Sequence, residues 1–275
     1  MSDKPSMSLE QLHEMSRNCR VDIVRMTHAA GAGHPGGSLS AIDSMVALYG
    51  SVLRFDVENP DWDDRDRFVM SKGHASPAVY SLLRQLGVLN EEDIMSFRKL
   101  GSSCQGHVDM GWTSGVDFSA GSLGMGLSFG LGCAIAAKMD NSERRIWVMM
   151  GDGETQEGQV WEAAMAASYH GASNLKVIID RNRIQNDDFV NVQMEIGDIA
   201  NKFESFGWVV RELDGHDMSQ LVESIVWANQ DCGSPVALIA HTTKGKGVSF
   251  MEDNPTFHGK APNDIELSTA LEELS

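Results

Sequence analysis

Two polar residues, each at the end of an apolar run, could hold a metal and a phosphorylated ligand. The run RIWVMM (145–150) stops at Gly151-Asp152-Gly153, and the run LKVIID (175–180) ends in Asp180, Arg181 and Asn182. A carboxylate and an amide oxygen are hard ligands suited to Mg²⁺ or Ca²⁺, and Mg²⁺ takes few protein ligands beside substrate phosphates. Gly153 lets the backbone approach a phosphate closely. The stretch that follows, 157–169, has alanines at 163, 164, 166 and 167 and reads as a helix, whose N-terminus favours negative charge. An ordinary Asp-Gly turn beside an unrelated polar loop is the plainer reading of GDG alone. The complete order of strand, GDG, helix, strand and Asp-Arg-Asn points to a metal–diphosphate site.

Histidines supply a second kind of chemistry. His34 sits in GAGHPGGSLS (31–40), where glycines allow the backbone close to a ligand and Ser38 or Ser40 can cap the next helix. His74 follows a short strand, RFVMS (67–71), in the turn KGHASP. It lies on the same sheet edge as Asp152 if that strand is parallel. A surface or turn-stabilising histidine is the alternative for both.

The elements that must position these groups are legible from periodicity. A capping box at Ser8–Gln11 opens a helix that runs to about Ala30, with Leu12, Met15, Cys19, Ile23 and Met26 at helical spacing. Helices are expected over 75–86, 91–100, 127–138, 157–169, 199–206 and 219–228, and strands over 67–71, 145–150, 175–180, 208–213 and 235–241. The intervening 101–121 is long and glycine-rich, and Trp112 and Phe118 suggest that it is ordered. The stretch from Asp187 to Asp198 reads as a polar excursion, and 263–275 as a surface helix. This alternation predicts an α/β fold, doubly wound, with a mainly parallel sheet and helices on both faces. In such a sheet ligands bind outside the carboxyl ends of the strands, so Asp152 and Asn182 are brought together there.

Composition narrows the function. The 275 residues carry a net charge of −17, from 22 basic and 39 acidic residues, which argues against nucleic acid and anionic membrane as partners. A diphosphate remains compatible, since a metal and backbone N–H groups can hold it with few or no lysines. Lys244 and Lys246 stand between glycines but lack the spacing of a nucleotide-binding P-loop. Four scattered cysteines, no apolar run of membrane-spanning length and a polar N-terminus lead us to expect a reduced, cytoplasmic protein.

The central stretch resembles the diphosphate-binding motif of thiamine-diphosphate enzymes, and GDGETQEGQVWEA is similar to its transketolase version. Further motifs follow the order of that family: GHPG at 33–36, FV-x-S-x-GHA at 68–75, Gly106-His107, GSLGMG (121–126) in the place of GPLGQG, and Phe257-His258-Gly259. Ser122 and Met125 depart from the usual Pro and Gln of that turn. The resemblance spans about residues 10–262. It implies that Asp152, Asn182 and the carbonyl of Ile184 ligate Mg²⁺ (replaceable by Ca²⁺ or Mn²⁺), and that His74, Gly121, Leu123, Gly151, Gly153 and Glu154 lie along thiamine diphosphate. It assigns His34, His74, His107 and His258 to the substrate channel, where groups titrating near neutrality suit acid–base work. It places Glu157 and Glu162 at a subunit interface linking two cofactors, though glutamates favouring a helix dipole would look the same.

The resemblance also leads us to expect a single diphosphate-binding domain, with the pyrimidine-binding and C-terminal domains, and the glutamate that activates the cofactor, on a second chain. The expected function is ketol transfer between a sugar or sugar phosphate donor and acceptor by an α₂β₂ assembly. The alternatives are a subunit of an acyloin-type carboligase with the same cofactor, and a non-catalytic partner-binding subunit.

Overall fold

The computed structural model describes residues 6–186 and 188–275; Asp187, the first residue of the expected polar excursion, lies outside them. In chain order the elements are α1 (Leu9–Ala30), α2 (Pro35–Ser51), β1 (Arg67–Met70), a 3₁₀ turn (Gly73–Ala75), α3 (Ser76–Leu86), α4 (Glu91–Met95), α5 (Met125–Met139), β2 (Ile146–Gly151), a 3₁₀ turn (Gly153–Gln156) and α6 (Gly158–Tyr169). Then come β3 (Leu175–Arg181), β4 (Ile184–Gln185), β5 (Asp188–Phe189), α7 (Val190–Gln193), α8 (Ile199–Ser205), β6 (Val209–Asp214), α9 (Met218–Ala228), β7 (Val236–His241), a 3₁₀ turn (Pro255–His258) and α10 (Asp264–Glu273).

Five strands form one sheet in the order β1-β2-β3-β7-β6, every neighbouring pair parallel. Strand periodicity sends alternate residues to opposite faces. Trp147, Met149, Ile178 and Leu238 join α1, α2, α3, α9 and α10 in one core. Ile146, Val148, Met150, Val177 and Ile179 join α5, α6 and α8 in the other. The expected doubly wound arrangement, with helices on both faces, is the one observed. Both faces of the central strands are covered, which explains their unbroken apolar sequence.

The first helix starts with the expected Ser8–Gln11 capping box and ends at Gly31 in the left-handed conformation. The second begins earlier than expected. Pro35 is its first residue and His34 its N-cap, so Ser38 and Ser40 are internal positions and not caps. Proline's fixed φ and missing N–H suit the first helical position. Gly36 is required here, because a Cβ would come within 2.8 Å of the carbonyl oxygen of Phe257. Helix α4 stops at Met95, short of the expected end, because Arg98 takes a positive φ of 62° and sends its N–H to Cys104 O. In the long 101–121 segment Trp112 is exposed. Order comes instead from buried Asp117, paired with Arg65, and from Phe118 stacked on Phe129. The C-terminal stretch is not merely superficial: α10 packs on α1 and buries Ala270, with Leu274 just beyond its end buried too.

Helix α5 approaches the sheet through small residues. A Cβ on Gly130 would lie 2.6 Å from Val148 Cγ2, whereas one on Gly132 would meet open space. Gly130→Ala is therefore expected to cost about 1–3 kcal/mol through overpacking. Gly132→Ala should be neutral or stabilise by up to about 1 kcal/mol through helix propensity. Thermal unfolding of the two variants beside the wild-type chain checks the opposite signs.

Candidate active site

Four strands deliver polar residues to the carboxyl edge of the sheet. Buried Asp180, the last apolar-run residue of β3, collects most of them. Its carboxylate accepts from Ser40 Oγ of α2 (2.6 Å), Asn182 Nδ2 (2.9 Å), Lys72 Nζ beyond β1 and Thr242 Oγ1 beyond β7. Burial would raise the Asp180 carboxyl, but Lys72 and these donors hold it below the usual range. Lys72 also donates to Gly37 O at 2.8 Å, tying the start of α2 to the same point.

Beside this network lies a cavity of about 300 Å³, bordered by Gly37, Lys72, His74, Leu123, Gly151–Glu154, Asn182, Ile184–Asn186, Lys244 and His258. Asp152, 2% exposed, receives backbone N–H bonds from Gly153 and Arg183, each 2.8 Å. Burial pushes its carboxyl up to about 6, against those two amides and with Asp180 adding to the rise. Asn182 Oδ1 accepts from Ile184 N at 3.1 Å. The Ile184 carbonyl accepts from Lys244 Nζ at 3.0 Å, and the same ammonium reaches His258 Nδ1 at 2.7 Å. Arg183 and Asn186 hold positive φ of 64° and 42° around that carbonyl. Burial and then the charge of Lys72 push Lys244 down to about 7, despite the attraction of Asp180 and Asp152.

The donor set fits a hard divalent cation. It offers a buried carboxylate, an amide oxygen and a carbonyl oxygen already facing a cationic group. No cluster of three or more His, Cys, Asp or Glu side chains set to hold a metal occurs among the described residues. The set therefore suits an ion that completes its coordination from water and phosphate.

Glu154 faces the cavity but is fully engaged: its carboxylate accepts from Ser71 Oγ, Gly124 N (2.8 Å) and Gly151 N (3.1 Å). It joins the GSLGMG turn to β1 and β2. Leu123 of that turn borders the cavity and Gly121 does not. Gly153 does, and a Cβ there would meet Gln185 Cβ at 2.7 Å. Glu157 and Glu162 point outward, exposed, on the face of α6 that also presents Met165 and Tyr169.

The histidines come together. Ring centroids of His34 lie 5.1 Å from His74, 5.3 Å from His258 and 6.3 Å from His107, and His74 is 5.2 Å from His258. Only His74 and His258 border the cavity proper; His34 links them to His107, which is exposed. Burial, then the charge of Arg98, lowers His107, and the three more buried rings are lowered further. Burial, then the charges of His107, Arg98 and Lys244, push His34 down to about 4. Burial, then Lys244, His34 and Lys72, push His258 down to about 3. His74 is lowered well below its ordinary value by burial and Lys72. While Lys244 is charged it can only donate to His258 Nδ1, which puts the ring proton on Nε2. His34 Nδ1 is buried without a hydrogen-bond partner among the described residues. Of the other histidines, His216 bonds Asp43 and the amide of Thr243, and His241 pairs with Glu212, in keeping with structural roles.

Motif reading missed Lys72, Asp180, Ser40 and Gly37. One signal was available: a carboxylate inside a buried strand, LKVIID, demands a cation, and Lys72 follows a parallel strand on the same edge. Lys244 was visible only as part of a glycine-lysine repeat. Its neighbour Lys246 pairs with Glu252 instead and borders no part of this cavity.

The doubly wound parallel sheet with oxygen donors at its carboxyl edge belongs to the thiamine-diphosphate-binding class, as comparison with known proteins shows. The family described as transketolase, thiamine diphosphate binding domain, matches residues 10–274. The chain is 38% identical over 269 residues to an apulose-4-phosphate transketolase subunit of Phocaeicola vulgatus, covering 98% of this chain and 95% of that one. It is 37% identical to a 6-deoxy-6-sulfo-D-fructose transketolase subunit of a Clostridium species, with 89% of each chain covered. The crystal structure of transketolase from Campylobacter jejuni superposes with a TM-score of 0.90 at 32% identity, over 98% of this chain and 43% of that one. The chain thus spans nearly all of the subunit relatives and about two fifths of that solved transketolase. It belongs to the transketolase family.

At neutral pH the folded chain keeps His34 and His258 uncharged, while the unfolded chain protonates them near 6.5. Their contribution to stability is therefore lost as pH falls from about 6.5 toward the folded values, where the unfolded state binds the extra protons. Histidine ring NMR should show the His34 resonances without an imidazole protonation step between about pH 5 and 8, the window in which an ordinary imidazole titrates, while His258 should show at most the step of its neighbour Lys244 near 7.

Proposed function

We propose that this chain is the thiamine-diphosphate-binding subunit of a two-chain transketolase, active with a second subunit that supplies the remaining domains. The reaction is transfer of a two-carbon ketol unit from a ketose or ketose phosphate to an aldose or aldose phosphate. The observation that carries this reading is one cavity with an oxygen donor set on one side and a cluster of neutral histidines on the other. Two relatives that match almost end to end bear names of transketolase subunits, one acting on apulose-4-phosphate and one on 6-deoxy-6-sulfo-D-fructose.

In this reading Asp152, Asn182 and the Ile184 carbonyl hold Mg²⁺, with Ca²⁺ or Mn²⁺ as substitutes, and Gly151, Gly153 and Leu123 lie against the cofactor. Bound thiamine diphosphate supplies the carbanion stabilisation that lets a carbon–carbon bond break and form. Lys72 and Lys244 offset Asp180 and Asp152, so a bound metal and diphosphate meet a locally balanced pocket. Being neutral, each histidine ring has an N–H that can donate to a sugar hydroxyl and a lone pair that can take a proton from one. His258 borders the cavity, and His34, packed on it and on His74, fixes the orientation of both rings. His107, which is exposed, is placed to meet the incoming sugar.

The second subunit is expected on the α5–α6 face. There Met125, Gly132, Ala136 and Met139 of α5 lie exposed, as do Glu162, Met165 and Tyr169 of α6, with Glu157 just before it. Small and apolar residues in a row on a surface helix suit close packing against another chain. We place the assembly as α₂β₂ in the cytoplasm, in keeping with four unpaired cysteines.

Asp152→Ala and Asn182→Ala should abolish cofactor retention at micromolar cofactor. His258→Ala should retain cofactor and slow turnover by about 10²–10⁴-fold, the usual worth of a group that manages a proton. Equal cofactor loss in all three, measured by equilibrium dialysis, contradicts the division of roles. Purified alone, the chain should lack ketol transfer and gain it with the second subunit; robust transfer by the chain alone overturns the two-chain reading.

A further inference from the structure

On the far side of the segment that carries Lys244 lies a second group of buried charges, which the chemistry above does not use. Asp43 of α2 is 5% exposed and Arg20 of α1 is 8% exposed. A single oxygen of Asp43, Oδ2, accepts from Arg20 at 2.6 Å and from His216 Nδ1 at 2.8 Å. Thr243 N donates to His216 Nε2 at 2.8 Å. A backbone amide can only donate, so Nε2 carries a lone pair and the ring proton is on Nδ1, facing Asp43. Arg20 Nε donates to Lys246 O at 3.1 Å. One carboxylate thus organises two anchors on residues 243 and 246, on either side of Lys244.

We propose that Asp43, Arg20 and His216 form a positioning clamp for residues 242–247, with His216 a positioning residue that acts on the reaction through Lys244 and touches neither substrate nor cofactor. Thr242 donates to Asp180, and Lys244 reaches the Ile184 carbonyl and His258. A shift of this segment is transmitted to the carbonyl and to the histidine at once. Burying an arginine, a carboxylate and an imidazole together costs desolvation, which such groups repay only when geometry and bonding are complete. Burial alone would raise Asp43, yet the bonds from His216 and Arg20 hold its carboxyl at about 2. The proposal rests on the reading of Ile184 and His258 as site residues.

The clamp borders a second cavity of about 290 Å³, lined in part by Arg20, Asp43 and His216, which gives a small molecule access to the His216 position. That access sets the test. In His216→Gly, amide hydrogen exchange across 242–247 should rise. In the assembled enzyme, thiamine diphosphate affinity and kcat should each fall by about 10–100-fold, the usual effect of losing a group that orients a ligand-bearing one, with KM for the sugar little changed. Added imidazole, which offers both a donor and an acceptor, should restore exchange protection and kcat; N-methylimidazole, which lacks the N–H, should not. Unchanged exchange and cofactor affinity in His216→Gly overturns the clamp, and so does a loss that imidazole leaves in place. If that variant does not fold, His216→Gln is read by the same exchange measurement: its side-chain oxygen can accept from Thr243 N, so retained protection supports the clamp and protection lost in a chain of native stability overturns it. If the wild-type assembly binds no thiamine diphosphate, the functional reading fails, while the exchange measurement still decides the clamp.

Discussion

A carboxylate with 1% exposure is tolerable only when its charge is matched and its lone pairs are filled. At Asp180 both conditions are met by donors from four separate segments, and this requirement shapes the site. Lys72 must follow β1, Ser40 must face the sheet from α2, Asn182 must follow β3, and Thr242 must follow β7. Everything that borders the cavity, Leu123 of the turn before α5 apart, is attached to one of those segments or to β2. Gly37 and His74 travel with α2 and the turn after β1. Ile184 travels with Asn182, and Lys244 and His258 with the stretch after β7. Asp152 reaches the same edge through β2, whose Gly151 lies in register with Asp180.

Much of this was legible in the sequence, for identifiable reasons. Unbroken apolar strands separated by helical periods fix a parallel sheet covered on both faces, and GDG and Asn182 fall at its carboxyl edge because strand ends do. The histidine motifs were visible because glycine and proline around them break helical periodicity. What remained hidden depended on partners remote in the chain. Asp180 is only a strand-end residue until Lys72 is placed beside it. Ser40 reads as a cap until Pro35 is seen to start the helix. The depressed basicity of His34 and His258 follows from burial, then from His107, Arg98 and Lys244 for the first and from Lys244, His34 and Lys72 for the second, none of which spacing reveals. Arg98 ended α4 through a left-handed backbone that no local preference of an arginine announces.

The electrostatics of the site are also independent of the electrostatics of the chain. The sequence carries −17 overall, yet the cavity is bordered by two buried lysines, and neutral histidines stand where a general reading of acid–base chemistry would put charged ones. Short-range pairing at low local dielectric outweighs a diffuse surface charge that solvent and salt screen. The net acidity of the chain thus says little about what the pocket accepts.

The parallel register of the sheet has a kinetic consequence. Neighbouring strands in an all-parallel sheet cannot be joined by a tight hairpin, so each pairing closes a long loop before it gains contacts. The bonds that define the cavity edge span 140, 108 and 62 residues. A partly folded or partly synthesised chain therefore cannot display the edge at all. A ligand that recognises only the finished edge draws the folding equilibrium forward by mass action, and supply of cofactor becomes a determinant of how much folded chain a cell keeps.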